Sequence, residues 1–301
     1  MFMSPRIAML DTLCQFFGLG FRAVLVSDML PVATAGAIAD QRMAPSGFLA
    51  PEAPENSINE EDIIATFVHD IESRVVAVSD SPRVYQVDGF LSDEECDFMR
   101  AHGAPHLQPS LTIDRKTGEY HPDSVRTNMQ MYVTKEDSLQ NPIISNIIRR
   151  MHRFVRIPMG HGEQIQIGRY QVGQKYDCHF DSEVSVNVIR PATLIVYIAD
   201  NITGGDTVFP MGRLCSPLHL CCEGDDVAPA RRFHPKKGRA ILFYSHDLDG
   251  RLNHKALHGS CPVKSGEKWI IQAWFRSTLY PESPHYIFDK GTVSGQSSME
   301  L

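Results

Sequence analysis

The sequence has no dense block of lysine and arginine, no Cys-x-x-Cys pair and no long uncharged apolar run. Its 29 Lys and Arg are outnumbered by 36 Asp and Glu, so the net charge is −7. Without a basic block, the electrostatic footprint of a nucleic-acid-binding protein is missing. The seven cysteines lack the spacing of a structural zinc site. We therefore expect no nucleic-acid partner and no structural zinc.

Residues 1–56 have the composition of a leader followed by a linker. The apolar part ends in Ala37-Ile38-Ala39, which resembles a signal-peptidase site. Charged residues such as Asp11 and Asp28 leave apolar runs shorter than the roughly 20 residues of a membrane-spanning helix. The stretch 45–56 is rich in Pro, Ala and Ser. We expect a largely disordered segment without a transmembrane span, and leave open whether a signal peptide is cleaved from it.

The remaining chain, with 43% hydrophobic and 22% charged residues over the whole sequence, predicts one soluble domain over 57–280 and a tail over 281–301. Capping boxes at Ser57-x-x-Glu60 and Ser92-x-x-Glu95 each predict the start of a helix. A third helix is predicted from Asn141 to His152, because its isoleucines share one side. These helices precede most of the strands.

Segments of alternating or continuous apolar character predict strands over 83–87, 129–133, 163–170, 192–199, 207–209, 239–245 and 268–277. Helices followed by many strands are typical of an α+β protein that is mainly β. We expect a jelly-roll core, with a pocket between two antiparallel sheets and helices packed outside.

His179 and Asp181 stand two residues apart where a strand is predicted, so their side chains project from the same face. An imidazole and a carboxylate side by side are two ligands of a 2-His-1-carboxylate site, which holds non-haem Fe(II). A distant histidine is needed as the third ligand. The other His-x-Asp in the chain, His121-Pro-Asp123, has a central proline and is set aside.

Lys268 opens the last predicted strand, where it shares a face with Trp274 and Arg276. A lysine on the inner face of a barrel is costly unless an anion neutralises its ammonium group. A dicarboxylate would supply that anion. The hydroxyl groups of Tyr170 and Thr207 could donate hydrogen bonds to the same carboxylate.

Seven short motifs make the chain from about residue 83 to 276 similar to one known family. They are Asp-Glu-Glu-Cys (93–96), Val-Arg-Thr (125–127), Tyr-x-x-Gly-x-x-Tyr-x-x-His-x-Asp (170–181), Gly-Gly-Asp-Thr-Val-Phe-Pro (204–210), Lys-Lys-Gly-Arg-Ala-Ile-Leu-Phe (236–243), His-Gly-Ser-Cys-Pro-Val (258–263) and Glu-Lys-Trp (267–269). In this order they resemble the catalytic domain of the prolyl 4-hydroxylases, which are Fe(II)/2-oxoglutarate dioxygenases. The resemblance implies a double-stranded β-helix with its iron and 2-oxoglutarate core over about 163–277.

The same resemblance implies roles for individual residues. Iron would be bound by His179, Asp181 and His258. Lys268, flanked by Tyr170 and Thr207, would hold the distal carboxylate of 2-oxoglutarate. Residues expected to contact the peptide are Arg190, Trp274 and Arg126. The implied reaction hydroxylates proline in a peptide or protein and converts 2-oxoglutarate and O2 to succinate and CO2, with L-ascorbate restoring oxidised iron.

Only eight residues separate Asp181 from Arg190, whereas peptide prolyl hydroxylases usually carry a longer loop there. Two alternatives therefore stay open: hydroxylation of a free amino acid or other small molecule, and peptide binding without catalysis. Cys178 beside His179 is expected to be a small hydrophobe facing away from it. The resemblance also implies a disulfide from Cys221 or Cys222 to Cys261. Such a bond points to the endoplasmic reticulum, with the cytoplasm as the alternative; the oligomeric state stays open.

Overall fold

The computed structural model describes residues 60–113, 120–182, 189–210, 222, 231–280 and 283. The predicted leader and linker, the Ser57 cap and most of the short loop after Asp181 lie outside these residues. Four α-helices are described: α1 (Glu60–Ser73), α2 (Asp93–Gly103), α3 (Lys135–Gln140) and α4 (Pro142–Val155). None of them is long and apolar enough to cross a membrane.

Helix starts follow the capping residues in the sequence. The Ser92 hydroxyl accepts a hydrogen bond from the backbone N–H of Glu95, whose side chain accepts one from the Ser92 N–H, as the capping box predicts. Asn141 caps α4 by accepting hydrogen bonds from the first turn. The apolar stripe of α1 is buried at Ile64, Val68 and Ile71, and this helix packs against α4.

Eight strands form a large antiparallel sheet: β1 (Val76–Asp80), β2 (Arg83–Val87), β3 (Gln108–Pro109), β6 (Met129–Tyr132), β7 (Gln166–Tyr170), β9 (Ala192–Tyr197), β13 (Ala240–Tyr244) and β16 (Lys268–Phe275). Their order across the sheet is β1-β2-β13-β9-β16-β7-β6-β3. A small antiparallel sheet has the order β12-β11-β14-β8. Its strands are β8 (Tyr176–His179), β11 (Thr207–Phe209), β12 (Arg231–Phe233) and β14 (His258–Ser260). Two short pairs complete the fold, β4 (Thr112–Ile113) with β5 (Tyr120–His121) and β10 (Thr203–Gly204) with β15 (Val263–Ser265).

The two main sheets face each other, as the Tyr197–Thr207 and Lys268–Ser260 hydrogen bonds between them demonstrate. This arrangement confirms the predicted double-stranded β-helix. Every residue of β16 is buried, so both faces of the strand are covered. Its apolar face packs under the helices, where the rings of Phe275 and His152 meet edge to face. The face that carries Lys268 lines a cavity between the sheets.

The Gly204-Gly205 turn leads into β11. Both of its φ angles are near +70°, a backbone conformation that residues other than glycine rarely adopt. A Cβ at Gly204 would lie 2.5 Å from the carbonyl oxygen of Pro262, so there is also no room for a side chain. A Cβ at Gly205 would touch the Lys268 side chain, with 3.4 Å to its Cδ. The glycines therefore let this turn pass close to the lysine.

Candidate metal centre and cosubstrate pocket

The small sheet brings the three predicted metal ligands together. His179 ends β8, Asp181 follows two residues later, and His258 opens β14 directly opposite His179 in the strand register. One side-chain nitrogen or oxygen from each lies within 4.8 Å of the others. The cluster therefore arises because two neighbouring strands present the histidines and the chain leaving β8 adds the carboxylate.

Both imidazoles are oriented by their Nδ1 atoms. His179 Nδ1 lies 2.8 Å from the carbonyl oxygen of Asp177, and His258 Nδ1 lies 3.1 Å from that of Ala256. A carbonyl only accepts, so Nδ1 carries the proton and the Nε2 lone pair is free. His258 Nε2 is buried and has no hydrogen-bond partner in the described part of the chain. An unsatisfied buried acceptor beside a carboxylate fits a divalent cation such as Fe(II).

The protonation states suit a cation as well. Burial lowers the pKa of His258 to about 4, against the attraction of Asp181, and so keeps the ring neutral. Burial alone would raise the pKa of the Asp181 carboxyl, but the neighbouring His258, His179 and Thr193 outweigh it and hold this pKa well below its usual range. Thr193 donates a hydrogen bond to Asp181 Oδ2 at 2.8 Å. The site thus combines a neutral His258 imidazole with an anionic Asp181 carboxylate.

Aromatic rings enclose the two histidines. Tyr176 stacks on His179 with 3.6 Å between ring centroids, and the guanidinium of Arg126 lies over the other side of this tyrosine at 4.7 Å. Phe209 and Phe243 pack around His258, at 5.5 and 4.6 Å between centroids. These contacts restrict both imidazoles to one orientation.

Lys268 lies at the other end of the cavity and is 1% exposed. Its ammonium donates hydrogen bonds to the hydroxyls of Ser260 at 2.7 Å and Thr207 at 3.4 Å. The rings of Tyr170 and Tyr197 flank it at 5.2 and 5.7 Å. Burial lowers the pKa of Lys268 to about 7, and Asp206 only partly opposes this. The structure therefore brings Lys268, Tyr170 and Thr207 together, as expected of a pocket for a carboxylate.

Arg190 and Trp274 also lie together, with the guanidinium 5.0 Å from the centre of the indole ring. Both carboxylate oxygens of Glu163 accept hydrogen bonds from Arg190, each at 2.7 Å. A further Arg190 N–H donates to the backbone carbonyl of Asp181 at 3.0 Å. This arginine is consequently held next to the three candidate metal ligands. Its side chain is 25% exposed to solvent.

Arg126 occupies a different position from Arg190. It is 8% exposed and its guanidinium donates to the side-chain oxygens of Asn128 and Gln166, at 2.9 and 2.7 Å. The stacked Tyr176 separates it from His179. Its predicted contact with substrate stays a prediction.

Three of the described cysteines, Cys178, Cys222 and Cys261, pack together beside Val208 of the small sheet. Cys222 and Cys261 form a disulfide, which confirms the predicted pairing and selects Cys222 over Cys221. Cys178 faces away from the metal side, as expected, but the expectation that it is an inert small hydrophobe is wrong because it is disulfide-bonded. The reason is the strand alternation, which points its sulfur toward the cluster that contains Cys222 and Cys261.

Several residues at the site escape prediction from sequence. Ser260 was visible only as part of a motif, although it directly precedes Cys261 and faces the lysine. Thr193 and Tyr197 lie in an apolar strand that shows no alternation of polar and apolar residues. The signal that was available is their spacing of four, which puts both side chains on the same face. Glu163 gave no signal, because its partner Arg190 is 27 residues away.

Comparison with known proteins agrees with this geometry. Residues 165–276 match the sequence model of the 2OG-Fe(II) oxygenase superfamily. The chain is 36% identical to Prolyl 4-hydroxylase 2 of Arabidopsis thaliana over 67% of its own length and 70% of the relative's. It is 37% identical to Prolyl 4-hydroxylase 1 of the same plant, over 66% of its own length and 70% of the relative's.

Among solved structures, the chain is similar to the viral collagen prolyl hydroxylase of Paramecium Bursaria Chlorella virus-1 in its 2OG complex. The TM-score is 0.48 with 28% identity, over 67% of this chain and 99% of the viral one. The identities to the plant enzymes and their coverage settle the family. The chain belongs to the 2OG-Fe(II) oxygenase superfamily and, within it, to the prolyl 4-hydroxylases.

Proposed function

We propose that this protein is an Fe(II)/2-oxoglutarate-dependent dioxygenase that hydroxylates proline residues in a peptide or protein. The observation that carries the proposal is that His179 and His258, which cluster with Asp181, line one cavity with the buried Lys268. The similar plant proteins are named prolyl 4-hydroxylases.

In this proposal His179, Asp181 and His258 hold Fe(II), which supplies oxidative decarboxylation of 2-oxoglutarate and hydroxylation by O2. Lys268 neutralises the distal carboxylate of the cosubstrate. Thr207 and Tyr170 lie beside that carboxylate, and Tyr170 stays a protonated donor because burial raises its pKa to about 12. The aromatic walls around the histidines exclude water from the reacting groups. L-ascorbate would restore iron that has been oxidised without substrate turnover.

The substrate would approach from the side of Arg190 and Trp274. The partly exposed guanidinium offers hydrogen-bond donors to the carbonyl groups of a proline segment, and the indole beneath it is 6% exposed. Arg126 is the third residue proposed to act on the peptide. Its buried position gives it an indirect role, through the Tyr176 ring that it contacts.

We place the protein in the endoplasmic reticulum or elsewhere in the secretory pathway. Three of the described cysteines, Cys178, Cys222 and Cys261, are disulfide-bonded, and disulfides persist in oxidising compartments. Expression of the full chain with a fluorescent tag, followed by microscopy against a reticulum marker, tests this. A uniform cytoplasmic signal would contradict it.

The function is tested by incubating purified protein with Fe(II), 2-oxoglutarate, ascorbate and a (Pro-Pro-Gly)-type or poly-proline peptide. We expect succinate and hydroxyproline in equal amounts, and neither with His179→Ala. Succinate that requires His179 but ignores the peptide would support the free amino acid or small-molecule alternative. An iron-loaded protein that binds the peptide and forms no succinate would support binding without catalysis.

A further inference from the structure

Two buried glutamines lie side by side on neighbouring strands, and one of them, Gln272, lines the cavity that also contains His179 and His258. Gln272 on β16 and Gln166 on β7 are direct register partners, and they are 5% and 1% exposed. We propose that their amides bind the 2-oxo-acid end of the cosubstrate, opposite the end held by Lys268. This inference rests on the proposed function and adds two specificity-determining residues to it.

Their level in the cavity follows from the strand register. On β16 the cavity side carries Lys268, Ile270, Gln272 and Trp274 in turn, and the last three pair with Tyr197, Ile195 and Thr193 of β9. At the lysine end of the cavity, Tyr197 donates a hydrogen bond to Thr207. At the other end, Thr193 donates a hydrogen bond to the candidate metal ligand Asp181. The Gln272–Ile195 pair is therefore the next inward-facing pair after Trp274–Thr193, the pair that lies beside Asp181. It lines the same cavity as His179 and His258.

Arg126 fixes the orientation of the Gln166 amide. A guanidinium has only donors, so the atom of Gln166 that it contacts at 2.7 Å must be the oxygen Oε1. The Gln166 Nε2 group consequently points elsewhere. It is buried and has no hydrogen-bond partner in the described part of the chain.

Gln272 is in the same situation. Its side chain makes no hydrogen bond to any described residue, although it is 95% removed from solvent and borders the cavity. A buried amide without a partner costs free energy, so such groups are normally satisfied by protein, water or ligand. Gln166 thus has an unsatisfied buried amide nitrogen, and its neighbour Gln272 presents an amide without a described hydrogen-bond partner to the cavity.

The charge of the surroundings selects an anionic oxygen as the partner. Arg126 is buried against the neutral amide oxygens of Asn128 and Gln166, and makes no ion pair with a described carboxylate. Its positive charge extends to the cosubstrate pocket, where it opposes the rise in the pKa of Tyr170. Amide donors backed by a buried cation suit the carboxylate and ketone oxygens of a 2-oxo acid.

The test uses protein loaded with Mn(II) in place of Fe(II), so that binding is measured without turnover. Calorimetric titration gives the Kd for 2-oxoglutarate in the wild type, in Gln272→Met, which keeps the size but loses the amide, and in Gln272→Glu. We expect about a 10-fold higher Kd in Gln272→Met, the effect of one hydrogen bond to a charged group. We expect a larger loss in Gln272→Glu, because its carboxylate repels the ligand.

Pentanoate is the matched probe, since it has only the carboxylate that Lys268 would hold. In Gln272→Met, the Kd for pentanoate and the affinity for Mn(II) should both stay within 2-fold of wild type. A general distortion of the pocket would instead change both values. Gln166→Met should also raise the Kd for 2-oxoglutarate. These results would support the inference.

An unchanged Kd for 2-oxoglutarate in both methionine variants would overturn it. So would a raised KM for the peptide with unchanged cosubstrate binding, because the amides would then serve the substrate. Failure of the wild-type protein to bind 2-oxoglutarate at all would be a different result, which would overturn the proposed function itself and this inference with it.

Discussion

The Lys268 ammonium lies 2.7 Å from the Ser260 hydroxyl, in a pocket where burial lowers its pKa from an ordinary 10.5 to about 7. A bound carboxylate stabilises the charged form and raises this pKa. Above pH 7 the free protein must therefore take up a proton to bind 2-oxoglutarate, whereas below pH 7 the lysine is already charged. We expect the affinity to be flat below pH 7 and to fall about 10-fold per pH unit above it.

Calorimetry in two buffers of different ionisation enthalpy measures this proton directly. At pH 8 we expect nearly one proton taken up per cosubstrate bound by wild type, and none by Lys268→Arg, because a guanidinium stays charged throughout this range. Equal heats in both buffers for the wild type would contradict the linkage.

Thr193 orients Asp181, one of the three proposed metal ligands. Its hydroxyl donates to Asp181 Oδ2 at 2.8 Å, and both side chains are buried. Thr193→Val keeps the shape but removes the donor, so we expect a 10- to 100-fold weaker affinity for Fe(II) or Mn(II). Metal titration followed by electron paramagnetic resonance of Mn(II) gives the affinity. Thr193→Ser, which retains the hydroxyl, should remain close to wild type, and a similar loss in both variants would contradict the role of the hydrogen bond.

Local signals in the sequence were sufficient for much of the fold. The β2 strand and the Ser92 capping box follow the prediction residue for residue, because both depend on near neighbours. The His179 and Asp181 pair was predictable from its two-residue spacing, although β8 ends at His179 and Asp181 lies just beyond it. Lys268 was predictable because a charged residue opens an otherwise apolar strand.

Contacts between distant segments were not predictable from periodicity or spacing. Asp181 meets His258 across 77 positions only because β8 and β14 pair, and this pairing is set by the whole sheet. The partnership of Glu163 with Arg190 and the pairing of Gln166 with Gln272 depend on how distant segments meet in the large sheet. Only the family resemblance supplied the third candidate metal ligand, His258, and the Cys261 disulfide in advance.

The Cys222–Cys261 disulfide joins residues 39 positions apart, and Cys261 directly follows the Ser260 that contacts Lys268. In the chain-entropy description, a closed loop of this length stabilises the fold by about 4 kcal/mol. We expect Cys222→Ser, Cys261→Ser and the double variant to lose the same free energy of unfolding, because each removes one and the same bond. Urea unfolding measures it. Additive losses in the double variant would indicate that the two sulfurs act separately.

Glu163 holds Arg190, which we propose to contact the substrate, in a fixed position. Arg190 donates to both of its carboxylate oxygens at 2.7 Å while stacking over Trp274, and Arg276 donates to the same carboxylate at 2.8 Å. Glu163→Gln removes the charge at constant size, so the Arg190 guanidinium loses its paired acceptor and gains freedom over the indole. We expect the KM for a proline-rich peptide to rise about 10-fold, the effect of one charged hydrogen bond, with the Kd for 2-oxoglutarate unchanged.

Arg276→Gln is the matched control, because it removes the other cation bound to Glu163 and leaves both Arg190 contacts intact. If Arg190 acts on the peptide, Glu163→Gln and Arg190→Gln should raise the KM alike, the double variant should add little, and Arg276→Gln should leave the KM within 2-fold. If the cluster serves only folding, all three variants should lower the free energy of unfolding while the KM for the peptide stays the same. The peptide KM therefore separates a substrate-binding arginine from a structural ion pair.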